Sequence, residues 1–327
     1  MEKKNQFITI RLNDMIKKSI LQTAWSMLRE QKILRKHRKV VAFWNQMIAQ
    51  DQRGELEHFP LEPKIELPAN KVIWQYWGQG VQPDRLPDIV KICFNSVDTY
   101  RGDYTVIRLD DYTLTQYLDI PDFIWSKRKA DVISRTFFSD IIRLALLYVY
   151  GGVWLDATIL LTDVLPAKYC EQDYFLYQRD AQEPYTDYWK NSYASYWGWH
   201  EDHKVRMLSS IIFAKKGYAL LGQICHLLFN YWKAEDSALD YFFFQILHEM
   251  LLPAEKSADQ GLLVSDVYPH LLQTKLSGGD YPIAYPDIFL RTSVHKLTYF
   301  PEDTVAQLKQ ILKQTKAAMP AGKDQDG

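Results

Sequence analysis

Phe138-Ser139-Asp140-Ile141-Ile142-Arg143-Leu144-Ala145-Leu146-Leu147-Tyr148-Val149-Tyr150-Gly151-Gly152-Val153-Trp154-Leu155-Asp156-Ala157-Thr158 is the stretch on which the fold turns. Its first thirteen residues are apolar almost all round, which predicts a buried helix over 131–150. Asp140 and Arg143 stand three residues apart and so share one face of that helix. Gly151-Gly152 tolerates the positive φ that ends a helix. Val153–Leu155 then reads as a central strand, and it delivers Asp156 at its carboxyl end, the place where open α/β sheets receive ligands.

Outward from this unit, short β-like runs alternate with helical ones. Lys71–Tyr76, Thr105–Leu109 and Ser210–Ala214 read as strands. Pro87–Tyr100, Tyr218–Trp232, Leu239–Leu252 and Glu302–Ala318 read as helices. The pattern predicts an α/β domain over 71–300 around a mostly parallel sheet, followed by a C-terminal helix and tail over 301–327. Pro60, Pro63 and Pro68 make 51–70 a linker. Before it, Leu12, Ile16, Ile20 and Ala24 recur at helical spacing, and Lys32, Arg35, Lys36, Arg38 and Lys39 cluster, so 1–50 is a basic amphipathic helical extension. Such a segment suits an anionic lipid surface, or packing on the body with its cations solvated.

Composition narrows the classes. Of 39 Lys/Arg and 40 Asp/Glu, eleven and three respectively fall in residues 1–50, so a basic head sits on an acidic body. That argues against a nucleic-acid partner. The three cysteines, Cys93, Cys170 and Cys225, lack metal-ligand spacing and point to a reducing cytoplasm. No secretory leader is legible, and the longest apolar run, Leu144–Tyr150, falls far short of the roughly 20 residues a bilayer needs. The place expected for the chain is the cytoplasm, at the inner face of the plasma membrane where the basic head meets lipid.

A carboxylate at the end of a central strand, beside a buried Asp–Arg pair, is placed to hold a divalent ion, and Mg²⁺ and Mn²⁺ prefer a few carboxylates together with phosphate oxygens. The combined segment resembles the DxD-type sugar transferases, family 32 glycosyltransferases, and within them the capsular polysaccharide synthesis branch. That group shows an S-D-x-x-R helix followed by G-G-x-[YW]-x-D-x-[DT]. Ser139, Asp140, Arg143, Gly151, Gly152, Trp154, Asp156 and Thr158 match it. Lys71-Val72-Ile73-Trp74-Gln75-Tyr76-Trp77-Gly78 resembles the first strand of the family, and the likeness runs from about residue 71 to 300, leaving the head outside.

The resemblance implies a GT-A fold, a Rossmann-like mixed sheet flanked by helices. It also implies a nucleotide-sugar donor, often UDP-linked, Mn²⁺ or Mg²⁺, and retention of anomeric configuration, with a saccharide or lipid-linked saccharide as acceptor. Trp74 and Tyr76 would lie beside the nucleotide base. Asp140 would contact ribose or sugar, Arg143 donor hydroxyls or phosphate, and Asp156 both metal and donor. Thr158 stands where the last carboxylate of the motif is usual, which weakens it as a ligand. His295 as a metal ligand and Lys296 on the diphosphate would compensate. Asp240, opening Asp240-Tyr241-Phe242, is the candidate catalytic carboxylate beside Asp156, with Asp259-Gln260 a weaker one. Trp197, Trp199 and His200 are a candidate acceptor platform, while His226, His248 and His270 read as structural. A second reading, prompted by Thr158 and the basic head, is a catalytically silent sugar-nucleotide or glycan-binding subunit of an assembly complex.

Overall fold

A computed structural model describes residues 2–193, 195–252 and 262–318, with side chains from 24 to 315. The candidate pair Asp259-Gln260, the apolar periodicity of residues 12–20 at side-chain level and the end of the C-terminal tail lie outside the described residues.

Five strands form the central sheet: β1 (Val72–Tyr76), β2 (Thr105–Leu109), β3 (Gly152–Leu155), β5 (Tyr174–Gln178) and β6 (Met207–Ala214), in the order β2-β1-β3-β6-β5. β1 runs parallel to β2 and β3, whereas β6 is antiparallel to both β3 and β5. The sheet is therefore mixed, as the resemblance implies, rather than the mostly parallel one that patterning alone predicts. The reversal matters for the site, because it brings the start of β6 beside the end of β3. A separate antiparallel pair joins β4 (Ile159–Leu161) to β7 (Val294–Lys296). Sequence patterning passed over β4, β5 and β7. Each is short and almost wholly buried, so no polar alternation marks it.

Side chains that alternate along the strands feed two cores. Trp74, Trp154, Leu176 and Ile212 face one with α4 (Arg135–Tyr150), α7 (Ala219–Ala234) and α8 (Phe243–Leu251). Ile73, Val153, Phe175 and Phe213 face the other, which Val97 of α2 (Asp88–Tyr100) and Tyr169 also enter. Shorter helices fill the circuit: α3 (Asp122–Lys129), α5 (Ala167–Cys170), α6 (Thr186–Ser192), α9 (Val267–Leu276) and α10 (Tyr285–Arg291). The chain's last described element is α11 (Glu302–Ala318).

The turn from α4 into β3 requires its glycines. Gly151 has φ 71° and Gly152 φ 100°, both in the left-handed region. A Cβ on Gly152 would run into the backbone carbonyl of Val72 on the neighbouring strand. Only glycine permits that φ and that approach together, and the tight exit aims Asp156 at the sheet's end. Ser134 caps α4 by accepting from the Phe137 N–H at 3.4 Å, which fixes where the helix starts.

The N-terminal segment is one helix, α1 (Glu2–Gln52). Leu34, His37, Val40, Trp44 and Met47 form a buried stripe at helical spacing, and the Trp44 Nε1–H donates to the Phe243 carbonyl at 2.9 Å. From Val40 onward α1 thus enters the main core, packed against α7 and α8. Residues 51–70 also lie on the body. Asn230 exchanges hydrogen bonds with the backbone of Glu57, and Phe59 packs edge-on against Phe123 and Phe229. Among the described residues no helix is long and apolar enough to cross a membrane. All three cysteines are free thiols.

Candidate active site

A cavity of about 870 Å³ opens at the carboxyl ends of β1 and β3. Its floor holds Tyr76, Asp156 and Ser209–Ser210, and α4 contributes Arg135, Ser139, Asp140 and Arg143. Asp156 is held by backbone as well as side chain. Its N–H donates to the Ser210 carbonyl at 2.9 Å, and its Oδ1 accepts from the Trp154 indole at 2.8 Å.

Charge is layered around it. Arg143 Nη2 lies 3.2 Å from Asp140 Oδ1 and 3.5 Å from Asp156 Oδ1. The remaining donors of Arg143 go to the chain itself: Nη1 to the Ser209 carbonyl at 2.6 Å, Nε to the Ser139 carbonyl at 3.1 Å and Nη2 to Ser139 Oγ at 2.9 Å. The guanidinium also stacks on Trp154. It is therefore a fixed brace between α4 and the strand ends, with little left to offer a ligand. On the other side, Lys296 Nζ lies 3.2 Å from Asp156 Oδ2 and donates to Thr158 Oγ1 at 2.8 Å.

The two carboxylates consequently part in acidity. Burial alone would raise both. At Asp156 the cations Arg143 and Lys296, then the Trp154 indole, outweigh it and hold the carboxyl below its usual range. At Asp140 burial wins over Arg143, aided by the neighbouring charge of Asp156, and the group is pushed up to about 7.

The walls are aromatic. Tyr188, Trp189 and Tyr193 come from α6 and its end, and Tyr241, Phe242 and Tyr299 from elsewhere in the chain. Tyr193, Tyr241 and Tyr299 are more than half exposed, so part of each ring stays open to a ligand. Behind the wall the buried Arg179–Asp266 pair, 2.9 Å apart, sits against Tyr196, Trp197 and Trp199 and fixes their rings.

Sequence expectations divide here. Asp140, Arg143, Asp156, Thr158, Lys296 and Tyr76 converge on the cavity. Trp74 does not. It lies two residues deeper in β1, donates to the Gly151 carbonyl at 3.0 Å and packs on Tyr117 and Tyr150, so it cannot touch a nucleotide base. His295 is also corrected. Alternation on β7 turns it to the opposite face from Lys296. There it is fully buried against Phe289, with Nε2 3.1 Å from Thr162 Oγ1, and burial drives its imidazole down to about 3. Asp240 does not line the cavity either; it accepts from the Phe242 N–H at 2.9 Å and faces Lys36 of α1 at 4.0 Å, as a helix-start carboxylate does. Of the acceptor platform Trp197 lines the cavity, and Trp199 and His200 do not.

The expected donor set for Mn²⁺ or Mg²⁺ is therefore not brought together. Without His295 it reduces to Asp156 and a neutral hydroxyl, and an ammonium already lies between them. No group of three His, Cys, Asp or Glu converges among the described residues. A lone carboxylate already paired with an ammonium is a poor fit for a divalent ion, which binds through one or two carboxylates together with phosphate oxygens.

Sequence reasoning missed several lining residues. Arg135 is exposed on the cavity rim. Gln245 donates to Ser209 Oγ at 3.2 Å, and its buried Oε1 has no hydrogen-bond partner among the described residues. His270, read as structural, lines the cavity with Nδ1 2.7 Å from the Asp266 carbonyl. Gln245 was detectable one turn along from Tyr241. Arg135 and His270 carry no local signal.

The family described as capsular polysaccharide synthesis protein matches residues 23–315. Among solved structures, one titled PaToxG glycosyltransferase is similar at 13% identity and a TM-score of 0.36, covering 90% of this chain and 92% of that one. No curated protein matches the sequence.

Proposed function

Because this chain belongs to the capsular polysaccharide synthesis protein family, we propose that it is a glycosyltransferase, moving a hexose from a nucleotide sugar to a saccharide or lipid-linked saccharide. The observation that carries this reading is Asp156. It is an ionised carboxylate at the end of a central strand, flanked by Arg143 and Lys296, on the floor of a cavity of about 870 Å³ with aromatic walls. Such a floor suits a diphosphate and a sugar held together, the diphosphate toward Lys296 and the sugar's hydroxyls toward the carboxylate. In this reading Asp156-Ala157-Thr158 stands in the place of the DxD triplet, as the likeness to family 32 transferases suggests, and the donor is UDP-linked.

Transfer then proceeds with retention. The bond from the anomeric carbon to the diphosphate oxygen breaks. The acceptor hydroxyl bonds to that carbon from the same face, and its proton passes to the departing diphosphate. Asp156, held in place by Trp154 and Arg143, steadies positive charge on the sugar. Tyr193 and Tyr241 offer ring surface to the acceptor. The chain works at the cytoplasmic face of a membrane, where lipid-linked acceptors are found and where the basic surface of α1 meets anionic lipid.

A nucleotide-release assay over a panel of UDP- and GDP-sugars tests this. Release is expected from one donor, and Asp156→Ala should lower turnover by about 100-fold or more while leaving the melting temperature near the wild-type value. Unchanged turnover in that variant would sink the assignment. Donor binding without release or transfer to any acceptor would favour the silent-subunit reading.

A further inference from the structure

The place beside Asp156 that a metal would take is filled by the chain itself. β7 pairs antiparallel with β4 in the register Lys296↔Ile159 and His295↔Leu160. That register decides which of the two adjacent side chains faces Asp156. It gives the position to Lys296, whose Nζ lies 3.2 Å from Asp156 Oδ2 and 2.8 Å from Thr158 Oγ1. The second carboxylate oxygen, Oδ1, is occupied by the Trp154 indole and by Arg143. Each carboxylate oxygen thus already meets a cation or an N–H donor of the chain. An ion entering here would have to expel the ammonium and then sit against it and against Arg143, with like charges a few ångströms apart in a partly buried site. An ammonium carries three donors and no acceptor. Two are directed at Asp156 and Thr158, so one remains for a ligand in the cavity, and Lys296 itself lines that cavity. Thr158 in place of a carboxylate fits the same logic. A second negative charge would be needed to hold a doubly charged ion, whereas a single positive charge is balanced by Asp156 alone.

We propose that Lys296 replaces the divalent cation in donor activation, and that this chain binds nucleoside diphosphate and transfers sugar without a metal. Its ammonium, steered by Asp156 and Thr158, meets the diphosphate and neutralises the charge that develops on the leaving oxygen as the bond to the anomeric carbon breaks. It acts as a point charge and hydrogen-bond donor and gives up no proton. The proton released by the acceptor hydroxyl goes to the departing diphosphate, so the bond changes balance without any further reagent. This inference rests on the donor reading above.

Two measurements on the full chain test it. In the first, UDP and GDP are titrated calorimetrically into wild type, Lys296→Met and Lys296→Arg, in excess EDTA and again with excess Mn²⁺. Affinity of the wild type for one nucleotide should agree within about twofold between the two conditions. Lys296→Met should weaken binding about tenfold or more in EDTA, and Lys296→Arg, which keeps the charge, should retain part of it. Melting temperatures establish that the variants are folded. In the second, the paramagnetic signal of free Mn²⁺ is followed as protein is added without nucleotide. Wild type should leave it undiminished, and the double variant Thr158→Asp with Lys296→Ala should capture the ion. Nucleotide binding by the wild type only in Mn²⁺, or capture of Mn²⁺ by the wild type, overturns this inference and leaves the donor reading standing. Failure of both nucleotides to bind under every condition removes the donor reading and this inference with it.

Discussion

Asp140 and Asp156 are the same residue type, near each other and near the same arginine, yet their acidities shift in opposite directions. The difference is the second cation, since Lys296 reaches Asp156 but not Asp140. A titration consequence follows for the folded protein. The carboxyl of Asp140 sits at about 7 when folded against an ordinary 3.8, so between about pH 4 and 7 the native state holds a proton that the unfolded chain has released. Stability from this group therefore falls as pH rises through that window and is least above it. Asp140→Asn should abolish that dependence: its melting temperature should gain on the wild type as pH goes from 5 to 8. Parallel curves would mean that Asp140 stays ionised throughout as the partner of Arg143. Asp140, Arg143 and Asp156 were legible in the sequence because their relation is local, a helical i, i+3 step and a two-glycine turn. The choice between His295 and Lys296 was not, because adjacent residues on a strand face opposite ways and only the register with β4 decides between them.

At the scale of elements, the most exacting join is that of α4 to β3. Gly152 combines φ 100° with a carbonyl of β1 where its side chain would be. Gly152→Ala should cost at least about 2 kcal/mol from backbone strain alone, with the steric term added. It should also reduce turnover by moving Asp156. Chemical denaturation and the nucleotide-release assay check both, and a variant with wild-type midpoint would refute the strain. The helix, the glycines and the strand were all readable, since apolar content, Gly-Gly and length agree. The walls were not. α6 and α9 look like ordinary surface helices in sequence, and their Tyr188, Trp189 and His270 become cavity residues only once the sheet's reversed strand has set where they pack. The buried stripe Leu34-His37-Val40-Trp44-Met47 was present in the sequence at helical spacing, but a histidine in its middle and the basic residues around it disguised it as solvent-facing.

Seen whole, the molecule joins its N-terminal helix to its cavity. Arg29 of α1 donates to the Lys190 carbonyl at 3.1 Å, tying that helix to the α6 wall. Nearby, Trp25 and Leu28 are well exposed, and Lys32, Arg35 and Lys39 continue the same face. If this face meets lipid, the protein should float with vesicles containing anionic phospholipid and be released by salt. The double variant Arg35→Glu with Lys39→Glu should bind them about tenfold more weakly or worse. Equal flotation by the variant, or none by the wild type at low salt, counts against membrane contact.

The distance along the chain between Asp156 and Lys296, 140 residues, also sets an order of events during synthesis. Both carboxylates and Arg143 emerge first, and the cation that completes the floor follows on the order of ten seconds later at ordinary elongation rates. Until β7 pairs with β4, the nascent site holds its acidic half without Lys296. A nascent chain that has not yet delivered β7 thus lacks the ammonium that pairs with Asp156, and the floor is complete only in the step that closes the second sheet.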